Sequence, residues 1–212
     1  MSLAAFQRYH AQDAWTWERM ALTRARIVAG SAPLRRQIEA AINQALVAAG
    51  EPGRIRADAA AMRARMLRDL PPDGPWDVKL RAGGQVEVEF IAQVLQLIHA
   101  RHDPGVCSPT TRIALARLRD AGHLPRADAD LLIRADRVWR TVQGMLRITI
   151  GRTAPAELPE ATARPLLRAA AAAGAPAVDL PALRASLDAL AADVRAAFVR
   201  HVGEIKLGES KP

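Results

Sequence analysis

Residues 79–90 have the sequence Lys-Leu-Arg-Ala-Gly-Gly-Gln-Val-Glu-Val-Glu-Phe, and this stretch sets the chain apart from an ordinary alanine- and arginine-rich helical protein. Lys79 and Arg81 precede the glycine pair, and an apolar run follows it. Glycine allows backbone amides to approach a ligand or a neighbouring chain closely. If a helix begins directly after the pair, its first amides and positive dipole end favour an anion. The stretch therefore predicts either a phosphate-binding turn or a simple glycine turn.

The residues that flank the glycine pair alternate between apolar and polar types, which is a strand pattern. Trp76, Val78 and Leu80 alternate with charged residues before the turn, so a small hairpin over about 76–90 is one interpretation. The apolar run after the turn has helical spacing instead. We therefore expect a short strand, a glycine turn and then a helix from about 86 to 101.

The rest of the chain is typical of an all-α protein. Of its 212 residues, 50% are hydrophobic but only 4% are aromatic, so aliphatic residues must form most of the core. Alanine-rich sequence favours closely packed helices over strands. Periodic apolar residues predict a multi-helix bundle of about seven to eight helices, with a short strand or hairpin near 76–90 as the exception. The first predicted helix spans residues 4–29, with Trp15 and Trp17 as core anchors.

Charge and cysteine content narrow the classes of function. The net charge of +8 suits phosphate, nucleotide or an acidic partner, and equally a solvated arginine-rich surface. Nucleic acid is disfavoured because the arginines are interleaved with acids rather than with aromatic residues. The single Cys107 cannot form an internal disulfide, so a cytoplasmic location is expected. No uncharged apolar stretch reaches about 18 residues, and no membrane segment is predicted.

Two carboxylate pairs look like metal or acid–base motifs, but helix geometry argues against both. Glu87 and Glu89 would point about 200° apart on a helix and could not share one metal ion. Glu87 is instead expected to stabilise the helix N-terminus, as are Asp128 and Asp130 at a second predicted helix start. No catalytic residue and no metal ligand is therefore assigned. A polar stripe, which lines either a cleft or a solvated face, comprises Gln85, Glu89, Gln93 and Gln96.

Four segments of the chain form a specific combination: Ala14-Trp15-Thr16-Trp17-Glu18, Arg24-Ala25-Arg26, Lys79 with Gly83-Gly84, and Glu89-Phe90. Taken together, they resemble the glutamine synthetase adenylyltransferase family. The resemblance covers about residues 6–150, whereas residues 151–212 match only loosely. It implies that 1–150 form the helical domain that follows the C-terminal, adenylylating nucleotidyltransferase core of the family. A C-terminal helical extension over 151–212 would pack on this domain, and the chain would be a piece of a larger protein.

The resemblance also implies an enzyme with two nucleotidyltransferase-like halves. One half transfers AMP from ATP to a tyrosine of glutamine synthetase, the other removes it by phosphorolysis, and the PII signal protein and glutamine set the balance. The expected partners are glutamine synthetase, PII and ATP, without nucleic acid or membrane, and the full-length enzyme would use ATP and Mg²⁺. The family's Gly-Ser turn and D-x-D strand are not found in their proper context. This chain alone is therefore expected to be inactive and to bind no cofactor tightly.

The resemblance and the residue charges together imply a site beside the nucleotide. Basic residues would bring positive charge near the phosphates, an acid would orient one of them, and the glycine pair would form the turn. The alternative is a docking module for glutamine synthetase or PII without nucleotide contact, marked by an exposed apolar or charged patch. The residues assigned to the nucleotide-binding site are Lys79, Gly83, Gly84, Glu89, Arg24 and Arg26.

Overall fold

The computed structural model describes residues 2–151 and 154–206, and every regular element in these ranges is helical. The all-α prediction is confirmed, with nine α-helices in the described ranges rather than seven or eight. A short 3-10 turn lies at Pro104–Val106. No helix in these ranges is both long and apolar enough to cross a bilayer. The helices are α1 Leu3–Gln12, α2 Thr16–Leu22, α3 Ala32–Val47, α4 Pro52–Asp69, α5 Gln85–His99, α6 Thr111–Asp120, α7 Arg126–Thr149, α8 Glu160–Ala173 and α9 Leu180–His201.

The N-terminal region differs from the single helix predicted over 4–29. The chain breaks after α1 and restarts as α2, because the Glu18 carboxylate accepts a hydrogen bond of 2.9 Å from the Trp15 backbone amide and so caps the new helix. The buried Arg19 then connects α2 to α1 and α3, since its guanidinium donates to the backbone carbonyls of His10 at 2.6 Å and Ala45 at 2.9 Å. A long helix was predicted because periodicity does not register such a local cap.

Helix α5 is the central element of the bundle. It contacts α2, α4, α6, α7 and α9, and it is apolar over most of its circumference, as a fully surrounded helix must be. Val88, Ile91 and Val94 are completely buried, together with Trp139 on α7 and Phe198 on α9. One apolar core therefore extends from α2 to α9.

The strand predicted near 76–90 is wrong. Residues 76–84 form consecutive turns, because the Asp77 side chain accepts hydrogen bonds from the backbone amides of Lys79 and Leu80, both at 2.9 Å. An aspartate that bonds to nearby amides in this way competes with strand pairing. The first amides of α5, those of Gln85 and Val86, donate to carbonyls of the same turn segment at 2.9 and 3.2 Å. They are therefore already satisfied within the chain.

The glycine pair allows α9 to approach this turn closely. Gly83 has a φ of +70°, and a Cβ at this position would lie only 1.8 Å from the Ala191 carbonyl oxygen of α9. Gly84 is the N-cap of α5, where a Cβ would meet the Val78 carbonyl oxygen at 2.7 Å. Both positions therefore need glycine for packing, whatever other role they have.

A buried ion cluster holds the turn against three helices. Glu87 and Arg63 both have fully buried side chains, and the Arg63 Nε donates to Glu87 Oε1 at 3.0 Å. Arg195 on α9 donates to the same oxygen at 2.8 Å, and the Gly83 amide donates to the second oxygen at 3.0 Å. Arg63 also donates hydrogen bonds to two backbone carbonyls of the turn. The cluster therefore joins α4, α5 and α9 at one point.

The C-terminal helices continue the same core. Helix α8 packs along α7, and α9 packs on α5 and α7. Asp128 on α7 accepts hydrogen bonds of 2.7 Å from Arg200 and 2.6 Å from His201. Burial raises the pKa of Asp128, but these hydrogen bonds outweigh it and hold the pKa below its usual range. The division of the chain into a domain over 1–150 and an extension over 151–212 stays a prediction. Residues 152–153 and 207–212 of the extension lie outside the described residues.

Replacing Gly83 by alanine is expected to lower the free energy of unfolding by about 3 kcal/mol, because the new Cβ would collide with the Ala191 carbonyl and the φ is positive. Gly122 is a matched control, since its φ is +77° but no atom lies within 4 Å of its Cβ position. Gly122→Ala should cost only about 1 kcal/mol of backbone strain. Urea denaturation followed by circular dichroism gives both values, and equal losses would contradict the packing role.

Changing Arg63 to methionine is expected to lower the free energy of unfolding by about 3 kcal/mol, because it removes one partner of a buried pair and leaves two turn carbonyls unsatisfied. Arg65 lies exposed on the same helix, and Arg65→Met should change stability by no more than about 0.5 kcal/mol. Thermal and urea unfolding measure both. Similar values for the two variants would mean that the buried cluster does not stabilise the fold.

Candidate functional site

Glu89 lies at the meeting point of three separate parts of the chain. Its Oε2 accepts a hydrogen bond of 3.0 Å from Arg24, which follows α2, and its Oε1 accepts one of 2.8 Å from Arg140 on α7. Gln85, one turn earlier on α5, also donates to Oε1 at 2.9 Å. The Glu89 side chain is mostly buried, whereas the two arginines are partly exposed. The acid therefore holds two cations at the surface.

A second acid extends this arrangement along α7. Asp136 is only 1% exposed and pairs with Arg140 at 2.9 Å and with Arg112 of α6 at 3.3 Å. Burial raises the pKa of Asp136 above its ordinary value, and the two arginines act in the opposite direction. Two carboxylates thus order three guanidinium groups, which leaves a surplus of one positive charge in the cluster when both acids are ionised.

These arginines line an open pocket of about 260 Å³. We call it the arginine pocket. Its wall combines three arginines, two threonine hydroxyl groups at the start of α6 and one acid of α7. Hydrogen-bond donors therefore outnumber acceptors. Such a wall suits an anion. The lining residues are Arg24, Pro109, Thr110, Thr111, Arg112, Asp136 and Arg140.

The structure brings together only some of the residues assigned from the sequence. Arg24 and Glu89 are in direct contact. Lys79 is exposed and lines a different pocket of about 230 Å³, together with Arg147 of α7. Arg26 is exposed and makes no ion pair with any residue in the described ranges. The nucleotide-binding assignment of Lys79, Gly83, Gly84, Glu89, Arg24 and Arg26 stays a prediction.

The polar stripe on α5 is mostly buried and is not a solvated face. Gln96 accepts a hydrogen bond of 2.7 Å from the Ser108 backbone amide and donates one of 3.1 Å to the Ala92 carbonyl. Gln93 is also buried. Only Glu89, at 13% side-chain exposure, opens towards the surface. Within the stripe, Gln96 therefore anchors the loop before α6, whereas Gln85 and Glu89 belong to the arginine network.

Sequence reasoning missed the partners on α6 and α7. The four-residue spacing of Asp136 and Arg140 is a usable signal, since such residues face each other on a helix. No sequence pattern connects Arg112 to Asp136 or Arg140 to Glu89, because those contacts join residues far apart along the chain. Their juxtaposition follows from the packing of α6 and α7 on α5.

The prediction that Trp15 and Trp17 are core anchors is wrong. Their side chains are 69% and 45% exposed at the start of α2, while Arg19 and Met20 on the same helix are buried. The two indoles, at the N-cap and in the first turn of α2, present apolar surface to the outside, and we call them the tryptophan patch.

The sequence comparisons divide the chain into two matched regions. Residues 1–41 match the family model described as glutamate-ammonia ligase adenylyltransferase. Residues 54–200 match the model described as GlnD PII-uridylyltransferase. Arg24 lies in the first region, and Glu89 and Arg140 lie in the second, so the ion-pair network connects the two.

Curated relatives align with nearly the whole chain. The chain is 37% identical over 201 residues to a protein of Rhodopseudomonas palustris strain CGA009, covering 95% of this chain and 20% of the relative. It is 36% identical over 197 residues to one of Bradyrhizobium diazoefficiens, covering 93% and 19%. It is 35% identical over 198 residues to one of Xanthobacter autotrophicus, covering 93% and 20%. All three are named bifunctional glutamine synthetase adenylyltransferase/adenylyl-removing enzyme.

The chain thus spans about a fifth of the length of these relatives, and it matches them along nearly its whole extent. The chain therefore belongs to the glutamine synthetase adenylyltransferase family and, through residues 54–200, to the family described as GlnD PII-uridylyltransferase.

Proposed function

We propose that this chain is the helical domain beside the adenylylating nucleotidyltransferase core of an enzyme that adenylylates and deadenylylates glutamine synthetase. The core, with its ATP and Mg²⁺, would lie outside this chain. The proposal is supported by the match of residues 1–41 to an adenylyltransferase model and by the names of the relatives. The domain would form one wall of the cleft in which AMP is transferred.

The observation that carries the proposal is the network formed by Arg24, Glu89 and Arg140. It ties the segment after α2, which belongs to the adenylyltransferase match, to the helical body of the domain. Segment 24–31 has no helical structure of its own, so an ion pair with a mostly buried acid orients it. Arg24 would then face the nucleotide phosphates in a defined position.

Each residue of the wall has a distinct role in this proposal. Arg24 retains N–H groups beyond the one bound to Glu89, and these would contact phosphate oxygens. Glu89 would be a positioning residue that acts through the arginine. Lys79 and Arg26 would add positive charge, and Lys79 would do so from its separate pocket. Gly83 and Gly84 would place the turn that carries Lys79.

Arg24→Gln and Glu89→Gln in the full-length enzyme are each expected to reduce adenylyl transfer to glutamine synthetase by about tenfold or more, because a charge-assisted contact is lost or misplaced. Arg36 is the control, since it is exposed on α3 and forms no ion pair with any described residue. Initial rates over a range of ATP concentrations are compared with those of Arg36→Gln.

Loss of ATP affinity in Arg24→Gln would place this arginine at the nucleotide, and a loss in maximal rate would place it at the reacting phosphate. Lys79→Ala is measured in the same series, and we expect a weaker effect because Lys79 lies in the other pocket. Unaltered kinetics in Arg24→Gln and Glu89→Gln, with normal folding, would refute the proposed wall.

A second candidate function is protein docking, favoured by the tryptophan patch. Two exposed indoles on one short helix form the type of surface that often carries binding energy at interfaces. Residues 54–200 also match a family named for its action on PII. In this alternative, glutamine synthetase or PII would bind at Trp15 and Trp17.

The double variant Trp15→Ala/Trp17→Ala is expected to weaken binding of the docked protein by about a hundredfold, because each substitution removes a large apolar contact. Titration calorimetry with glutamine synthetase and with PII measures this for the 212-residue chain. Ile148 is 82% exposed on α7, and Ile148→Ala serves as a control for loss of a single exposed apolar side chain. Equal affinities in the two variants would exclude the tryptophan patch as the docking site.

A further inference from the structure

We propose that the arginine pocket is a binding site for a phosphate group, held jointly by Arg24, Arg112, Arg140 and the hydroxyl of Thr111. This inference deepens the proposed function, on which it rests for the role of Arg24. It adds three residues that the sequence did not indicate. It also names the chemistry of the ligand, which is a tetrahedral oxyanion, either free phosphate or the phosphate of a nucleotide.

Thr111 carries the first independent observation. The residue is only 7% exposed, it lines the arginine pocket, and its hydroxyl makes no hydrogen bond with any residue in the described ranges. The hydroxyl oxygen is not fully enclosed by protein atoms, so it can bond to a partner in the pocket. A ligand oxygen in the pocket would supply that partner.

The start of α6 supplies further donors at the same place. The first intrahelical bond is that of the Ala114 amide to the Thr110 carbonyl, so the amides of Thr111, Arg112 and Ile113 have no acceptor among the described residues. Thr110 is the N-cap but does not cap the helix with its side chain. Unsatisfied amides at a helix start favour an anion. Here they lie beside the Thr111 hydroxyl.

The three guanidinium groups keep donors that no acid occupies. Arg112 forms its ion pair with Asp136 at 3.3 Å from Nε, and its Nη atoms donate no hydrogen bond to any residue among 2–151 and 154–206. Arg140 uses Nε and Nη2 for the two acids, and Arg24 uses Nη1. Each guanidinium has five N–H groups. Several of them therefore remain for ligand oxygens while the acids hold the arginines in place.

Size and charge select the ligand class. An open pocket of about 260 Å³ admits a phosphate group, and the rest of a larger ligand would extend into solvent. The surplus positive charge of the cluster would be neutralised by the anion. A cation would instead meet the three arginines, and an apolar ligand would leave the Thr111 hydroxyl unpaired.

The test is titration calorimetry of the 212-residue chain with inorganic phosphate and, separately, with ATP. We expect saturable binding that Thr111→Val weakens by about tenfold, because valine keeps the shape but lacks the donor. The melting temperature of Thr111→Val should not fall, since the hydroxyl bonds to no described residue. Arg112→Gln should weaken binding at least as much. Arg137, exposed on α7 with no ion pair among the described residues, gives the control Arg137→Gln, which should leave binding unchanged.

The outcomes separate the two sources of phosphate and the two proposals. Tighter binding of inorganic phosphate identifies a free phosphate site, and tighter binding of ATP identifies a nucleotide phosphate. No binding, or binding that Thr111→Val and Arg112→Gln leave unchanged, overturns the inference. If phosphate fails to bind but Arg24→Gln and Glu89→Gln still impair adenylyl transfer, the proposed function stands without this site. If phosphate binds but those variants transfer AMP normally, the site stands and the proposed wall falls.

Discussion

The structure depends on one buried carboxylate, that of Glu87. It accepts hydrogen bonds from Arg63, Arg195 and the Gly83 amide, and its own side chain is fully buried. An ion pair in this position costs desolvation, which only close geometry and additional hydrogen bonds offset. The turn before α5 supplies that geometry, because Gly83 brings α9 against it. Three helices are therefore held in register at the start of the central one.

That register decides where Glu89 points. Two residues further along α5, its side chain emerges on nearly the opposite face and meets Arg24 and Arg140. The start of α5 thus separates two tasks: one acid stabilises the core, and the next organises cations at the surface. The proposed phosphate site and the proposed wall of the cleft both depend on this separation. A shift of α5 by one residue would rotate both acids by about 100° away from their partners and disrupt both sites.

Helical periodicity predicted the all-α bundle and placed α5 within a few residues of its observed bounds. Two predictions failed for a shared reason, which is that side chains bonded to nearby backbone amides. Asp77 turned an apparent strand into a series of turns, and Glu18 restarted a helix that looked continuous. At the site, Arg24 and Glu89 were found from the sequence. Arg112 and Thr111 were not, because no local pattern marks a contact that forms only when helices pack.

The amino-acid sequence by itself determined the helical class and the family resemblance, since these follow from local composition and motif spacing. The tertiary structure decided what the glycine turn does. It placed α9 against Gly83 and satisfied the first amides of α5 within the chain. Unsatisfied donors, three arginines and the Thr111 hydroxyl came together instead at the arginine pocket. Packing alone brings such distant residues together, because each helix positions its side chains only relative to its neighbours.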